Sequence, residues 1–248
     1  MKERILLSPA YCADKTAVLR LIESFDKEGE VVHAGRNTIK TFPLNGQRIN
    51  IKRYRVPNFV NRVMYTFFRK SKGYRAFSYP ERVLRAGFET PKPIAYVEKR
   101  KIGLIHYSYF VSEQCPYSRR FYEFGDADIN ECKDVVRAFA AFTAGLHEAG
   151  IYHRDYSPGN ILFDKVGEEW HFSIVDINRM EFGKVDLVKG CANFARLWGQ
   201  PDWFRYLAEA YAVCRKADIN ECVTLVMKAR NRFWKKRAKN KLEYTIRF

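Results

Sequence analysis

From residue 31 the hydrophobic and polar positions alternate with the period of two that a half-buried strand requires. The alternation predicts three strands, at 31–34, 38–44 and 48–54. Asn45-Gly46 between the last two is the dipeptide of a type I′ hairpin, and Gly35-Arg36-Asn37 turns the chain between the first two. The period then lengthens. Over 58–70, Phe59, Val60, Val63, Met64, Phe67 and Phe68 recur at helical spacing, with Arg62, Arg69 and Lys70 elsewhere around the helix. A second helix is expected over 74–86 and is stopped by Gly87; beyond the Pro91/Pro93 loop, strands are expected at 94–98 and 103–111. Residues 112–118 read as a linker, after which helices dominate. Asp128 caps a helix over 128–149, with Glu131 placed to close a capping box. The hexapeptide Ala-Asp-Ile-Asn-Glu-Cys at 127–132 returns at 217–222, the same helix-start chemistry used twice, and a last helical stretch covers 219–241. The first thirty residues show no clear period.

Composition narrows the class. In 248 residues, 47% hydrophobic and 15% aromatic content excludes disorder and allows one large domain or two small lobes. The formal charge is +16, which calls for an anionic partner: nucleic acid, an acidic membrane face or a phosphorylated substrate. The excess is local. Residues 52–80 hold eight basic side chains and no acid, and residues 228–248 hold nine against Glu243 alone, which leaves 27 basic and 27 acidic residues for the rest. Both segments mix cations with large apolar groups (Phe59, Phe67, Phe68 and Tyr74; Phe233 and Trp234), a combination suited to an anionic bilayer surface or an acidic acceptor. Nucleic acid would accept the same features, but no nucleic-acid motif supports it.

The six cysteines (12, 115, 132, 191, 214, 222) form no C-x-x-C pair, and His33, His106, His147 and His171 show no metal spacing. Reduced thiols in a cytosolic compartment are expected. No apolar run approaches a membrane span, Ile5-Leu6-Leu7 is too short for a signal-peptide core, and Tyr11 before Cys12 argues against a lipoprotein site. Cys115 and Met64 are expected to be packing residues.

One stretch carries chemistry. After Gly150, the run from Ile151 to Phe163 places Asp155 and Asn160 five apart on a loop followed by an apolar strand, and a second strand over 172–175 delivers Asp176. Two carboxylates and a carboxamide at strand edges suit magnesium and a triphosphate: the ion needs hard oxygen ligands, and a free carboxylate orients the attacking hydroxyl. The pattern His153-Arg154-Asp155-x-x-x-x-Asn160 resembles the catalytic loop of the protein-kinase-like fold.

That resemblance implies an α+β, two-lobed fold: a small antiparallel β-rich N-terminal lobe over 1–112 and a mainly helical C-terminal lobe over 113–248. It implies that Asp155 positions or deprotonates the acceptor hydroxyl while Asn160 and Asp176 hold Mg2+. Lys52, in Ile49-Asn50-Ile51-Lys52, matches the strand lysine on the α- and β-phosphates of ATP, and the turn at Gly35 would cover the phosphates. Glu113 and Gln114 fall where such folds bind adenine through the backbone, and His153 has a structural role. The acidic partner of Lys52 is expected at Ser78; Glu81, one helical turn on, is the only acid between Lys52 and Gly87. Ile177-Asn178 stands where protein kinases have Phe-Gly, and no Ala-Pro-Glu segment follows, which favours a small-molecule or glycolipid acceptor.

Over about 31–240 the chain is similar to the lipopolysaccharide core kinases, the Kdo/heptose kinase family of Gram-negative bacteria. The shared pieces are Lys52-Arg53-Tyr54-Arg55, the basic-apolar helix 58–70, Thr90-Pro91-Lys92-Pro93-Ile94-Ala95, His153-Arg154-Asp155, Val175-Asp176-Ile177-Asn178-Arg179 and Asn193-Phe194-Ala195-Arg196-Leu197. The resemblance implies ATP-dependent phosphorylation of a sugar hydroxyl on the lipid A-linked core oligosaccharide (Kdo or heptose). It also implies a cytoplasmic location, peripheral on the anionic inner membrane. Two rival readings stand beside it: a kinase of another small-molecule or protein acceptor, and a non-catalytic basic adaptor (pseudokinase) binding anionic lipid or nucleic acid.

Overall fold

The computed structural model describes residues 2–237 and 245–248. The fold is α+β, and the chain divides into two units, Met1–Pro116 and Tyr117–Phe248. Six strands form one antiparallel sheet in the first unit: β1 (Lys2–Leu7), β2 (Glu30–Ala34), β3 (Thr38–Leu44), β4 (Gln47–Tyr54), β5 (Pro93–Lys101) and β6 (Leu104–Glu113). Their spatial order is β1-β5-β6-β4-β3-β2. The β3–β4 hairpin turns as its dipeptide requires, with Asn45 and Gly46 at φ +50° and +79°. The strand expected over 103–111 is β6 and runs on to Glu113, two residues into the stretch read as a linker.

Alternation gives the sheet two different faces. Phe42, Leu44, Ile49, Ile51, Val97 and Val111 point to one side, where Val18 and Ile22 of α1 (Lys15–Glu23) and Phe25 seal them into a buried core. Lys52 alternates with Ile51 and lies on the other face, in a cross-strand row with Phe110 and Tyr96. The residues before 30, which show no period, supply both β1 and α1. β1 needs no strong pattern of its own because it is an edge strand, held by the ladder that pairs Ile5 with Val97 and Leu7 with Ala95.

The helices after β4 depart from expectation. The predicted helix 58–70 is α2 (Phe59–Val63), continued by a π-helical turn over Met64–Phe68 that closes with Arg69 N–H on the Met64 carbonyl at 2.7 Å. The predicted helix 74–86 is two helices, α3 (Lys72–Ser78) and α4 (Pro80–Arg85). Pro80 has no N–H to continue the ladder, so it starts a helix instead of extending one. Gly87, at φ +83°, ends the second as expected.

α3 rests on the Lys52 side of the sheet through Gly73. A Cβ there would meet the Tyr96 ring at 2.8 Å and Ser108 Oγ at 3.1 Å.

The second unit is mainly helical. It contains β7 (Arg119–Arg120), α5 (Ile129–Glu148), β8 (Ile151–His153), β9 (Ile161–Val166), β10 (Glu169–Ile174), β11 (Met180–Phe182), α6 (Leu187–Asn193), α7 (Pro201–Arg215) and α8 (Ile219–Arg237). The repeated hexapeptide starts two helices. The Asp128 carboxylate accepts from Asn130 N–H at 2.9 Å at the head of α5, and Asp218 accepts from Glu221 N–H at 2.7 Å at the head of α8. Phe121, Phe139, Phe163, Phe172 and Phe194 form the aromatic centre of the core.

The basic C-terminal segment is not uniformly an outward face. Arg230 is fully buried, donating Nη2 to the Gly199 carbonyl at 3.0 Å and lying over the Phe204 ring. Trp234 is also buried, its indole N–H on the Leu197 carbonyl at 3.2 Å. These two side chains hold α8 to the 197–204 segment, so only part of the run, such as Lys235, Lys236 and Arg237, faces outward. Lys239, Lys241, Glu243 and the expected end of the last helix lie outside the described residues.

Replacing Gly73 by valine should lower unfolding free energy by about 1–3 kcal/mol, because the new side chain forces α3 off Tyr96. Urea unfolding of the intact chain would measure this; an unchanged midpoint would show that the close approach is not needed.

Candidate active site

The loop that carries Asp155 is set between two short pairings of the second unit. α5 ends at Glu148, and Gly150 at φ +69° turns the chain so closely against Gly183 that a Cβ would lie 2.9 Å from the Gly183 carbonyl oxygen. β8 then pairs with β11, His153 opposite Met180. β9 and β10 form a hairpin whose last pair is Ile161 with Ile174, and Val175 N–H donates to the Asn160 carbonyl at 2.9 Å just beyond it. The register therefore brings Asn160 and Asp176 to the same end of one hairpin.

Buried histidines hold this end together. His153 Nε2–H donates to the Val175 carbonyl at 3.0 Å, and Nδ1 accepts from Asp155 N–H at 3.1 Å. The tautomer follows from these partners: a carbonyl can only accept and an amide N–H only donate. Burial pushes the His153 imidazole below its ordinary pKa, against the opposing pull of the Val175 carbonyl and of Asp176 and Asp155, so the neutral form that the geometry requires is favoured. A second ladder supports the first. Tyr211 O–H donates to His147 Nδ1 at 2.7 Å, and His147 Nε2–H donates to Asn193 Oδ1 at 3.0 Å. Asn193 Nδ2–H then donates to the His153 carbonyl at 2.9 Å. Burial lowers His147 to about 4.

The Asp155 carboxylate is gripped by two guanidinium groups. Arg196 Nη1 donates to Oδ1 at 2.5 Å, and Arg179 Nη1 lies 3.5 Å from Oδ2. Arg154 pairs with Glu181 at 3.3 Å, and Lys189 reaches the other oxygen of Glu181 at 3.0 Å, which ties the 153–160 loop to the segment after Asp176. Asn160 commits its amide nitrogen to the Asp155 carbonyl (2.8 Å) and Ser157 Oγ (3.2 Å), so its Oδ1 is the atom left for a cation. Asp176 sits in the left-handed region at φ 54°, a conformation in which aspartate is enriched, and Asn178 Nδ2 donates to its Oδ1. Asn178 is itself buried, and its Oδ1 has no hydrogen-bond partner among the described residues. A carboxylate, a carboxamide oxygen and a neighbouring orphan oxygen fit a hard divalent ion that takes its remaining ligands from water and phosphate. No cluster of three or more His, Cys, Asp or Glu side chains suited to a metal occurs among the described residues.

The first unit places its candidates separately. Lys52 is half-buried on β4, its Nζ 5.5 Å from the centre of the Tyr54 ring. The turn Gly35-Arg36-Asn37 joins β2 to β3, and a Cβ on Gly35 would meet the His33 imidazole at 2.8 Å. Glu81, the acid the sequence offers to Lys52, lies on α4, the helix that Pro80 starts; its carboxylate is 63% exposed and bonded by Arg85 at 2.5 Å in an i,i+4 pair. Ser78, the other candidate position, closes α3 with its hydroxyl buried and without a hydrogen-bond partner among the described residues. The backbone N–H groups of Glu113 and Gln114 are committed to the Lys92 and Arg48 carbonyls, and Glu113 Oε1 accepts from Tyr11 O–H at 2.7 Å.

Arg179, Arg196 and Asn193 were visible only as letters in two short segments. Nothing in local spacing says that Arg196 reaches a carboxylate 41 residues upstream. His147 offered less still, a polar residue late in an amphipathic helix.

The depressed His147 pKa fixes a sign. The unfolded chain takes up a proton near pH 6.5 and the folded chain only near 4, so stability is full above the upper value and falls as pH drops through that window. The loss should approach roughly 3 kcal/mol, with His153 adding in the same direction. Urea unfolding between pH 7 and 4 should show a steeper slope for the native chain than for His147→Gln; equal slopes would remove the assignment.

Comparison with known proteins places the chain by family and by fold. Residues 29–197 match the profile of the lipopolysaccharide kinase (Kdo/WaaP) family. Among solved structures, that of WaaP in complex with acyl carrier protein superposes with a TM-score of 0.62 at 15% identity, covering 95% of this chain and 98% of that one. A streptomycin–ATP–APH(2")-IIa ternary complex follows at 0.53 and 11% identity, over 89% and 88% of the two chains. A microcompartment-associated aminopropanol kinase gives 0.51 and 11%, over 88% and 89%. At these identities the likeness is one of fold, the protein-kinase-like fold. No curated protein sequence matches the chain.

Proposed function

Because the chain belongs to the lipopolysaccharide kinase (Kdo/WaaP) family, and so transfers a phosphoryl group to a hydroxyl of the lipopolysaccharide core, we propose that Asp155 is its catalytic carboxylate. Asn160 and Asp176 are the ligands that would hold Mg2+, which when bound offsets the charge of the triphosphate. Lys52 takes the α- and β-phosphates of ATP, and the Gly35 turn covers them. The acceptor is an inner-core sugar, Kdo or heptose, on lipid A. The observation that carries this reading is the convergence of Asp155, Asn160 and Asp176 on one hairpin end, held by His153.

The chemistry asked of the chain's own groups is modest. The acceptor oxygen forms a bond to the γ-phosphorus as the bond to the bridging oxygen breaks, and the hydroxyl proton passes to the carboxylate. Arg179 and Arg196 fix both carboxylate oxygens, so Asp155 meets that hydroxyl in one orientation with little reorganisation. Their two positive charges, beside a single carboxylate, also favour an acceptor that is itself anionic.

A lipid-anchored acceptor would place the enzyme on the cytoplasmic face of the inner membrane as a peripheral protein. Among the described residues no helix is long and apolar enough to cross a membrane.

Incubation with labelled ATP and Kdo–lipid A should give transfer by the native chain. Asp155→Asn should lose roughly 10²–10⁴-fold in rate with nucleotide binding kept. Nucleotide binding without transfer to any core glycolipid, or an Asp155→Asn variant as fast as the native chain, would overturn the assignment.

A further inference from the structure

The first unit exposes apolar side chains that its core does not use. The π-helical turn after α2 leaves Phe67 and Phe68 both outward, 67% and 73% exposed, where a regular amphipathic helix would turn its apolar side inward. Ile102, at the tip of the β5–β6 hairpin, is 92% exposed. These groups stand on rigid supports. Arg62 Nε and Nη2 donate to the Ile105 and Lys101 carbonyls at 2.9 and 3.3 Å. Thr66 Oγ accepts from Ile105 N–H at 3.0 Å and donates to the Arg62 carbonyl at 2.7 Å, so helix and hairpin tip are one body.

Beside the two phenylalanines opens a cavity of about 270 Å³ lined by Arg4, Arg69, Lys70 and Arg100, with Glu98 as its one acid. Glu98 is buried, and both its oxygens are already engaged, one by Tyr96 O–H and one by Arg100 Nε at 2.7 Å. Arg4 and Lys70 lie over the Tyr74 ring at 5.1 and 5.2 Å. Four cations against one spoken-for carboxylate leave a strong local positive charge in a cavity with an aromatic rim.

We propose that this corner of the first unit docks on an anionic bilayer, with a lipid phosphate seated among Arg69, Lys70 and Arg100 while Phe67, Phe68 and Ile102 enter the acyl boundary. Charge and apolarity are both needed: an apolar rim alone would not select a headgroup, and cations alone need no projecting phenylalanines. The inference rests on the reading that the acceptor is lipid-anchored and adds to it the surface that meets the lipid.

The test is sedimentation of the full chain with vesicles of phosphatidylcholine, alone or with about a third phosphatidylglycerol. Binding is expected only to the anionic vesicles and should weaken as salt rises. The exposed double variant Phe67→Ser/Phe68→Ser and the charge reversal Arg69→Glu/Lys70→Glu should each weaken it at least about tenfold. Lys235→Glu/Lys236→Glu should change it by less than about threefold if α8 does not dock. Patch variants that bind like the native chain, or binding lost only in the α8 variant, would overturn the proposal. So would capture of an acidic carrier protein by this patch with no vesicle binding. Unchanged thermal unfolding of the phenylalanine variant keeps the reading independent of misfolding. Transfer to a water-soluble, de-acylated core oligosaccharide separates the two claims. Patch variants should keep that activity, whereas failure of the native chain on this acceptor and on Kdo–lipid A alike would strike the kinase reading and leave the docking result standing.

Discussion

A neutral imidazole sealed in the second unit ties the loop of Asp155 to the strand end that leads to Asp176. His153 must donate through Nε2 to the Val175 carbonyl and accept through Nδ1 from Asp155 N–H. Protonation would put two donors face to face at Nδ1, so the arrangement exists only while the ring is uncharged. Burial enforces that state, since a low-dielectric interior disfavours the cation. The ring thus couples the loop ahead of Asp155 to the strand end ahead of Asp176, and the β9–β10 register adds Asn160. His147 and Asn193 repeat the device one layer further in, carrying the constraint from α5 and α7 to the His153 carbonyl.

Charge is handled differently at the surface of the site. Asp155 keeps its carboxylate partly open, yet both oxygens have guanidinium partners, and Arg154 and Lys189 converge on Glu181 close by. Orientation is therefore bought with arginines instead of burial, which leaves the carboxylate reachable for a hydroxyl. The two basic segments show the same economy. Near the C-terminus Arg230 has become a structural residue, whereas the cations around Phe67 and Phe68 remain at an open cavity.

Legibility in the sequence followed the range of the physics. Strands β2 to β4 and their Asn45-Gly46 turn depend on neighbours, so alternation and turn chemistry located them almost to the residue. The placement of the candidate loop was legible for the same reason: Asp155, Asn160 and Asp176 are brought together by one loop and one hairpin. Edge strand β1 was not, because its order comes from a partner some ninety residues away. The division of 74–86 was written in Pro80 but outweighed by the helical period on either side, and with that break Glu81 moved to the surface. Arg179 and Arg196 depend on tertiary placement alone, as does the burial of Arg230, where a charge run reads as solvent-facing until its helix finds a carbonyl to satisfy it.

Phosphoryl transfer to the lipopolysaccharide core at this hairpin end is tested most directly by mass spectrometry of lipopolysaccharide from cells lacking the chain. The expected result is a core lighter by roughly 80 Da, one phosphate, restored by the native chain and not by Asp155→Asn. A core of unchanged mass in the deleted cells, or restoration by Asp155→Asn, would contradict it.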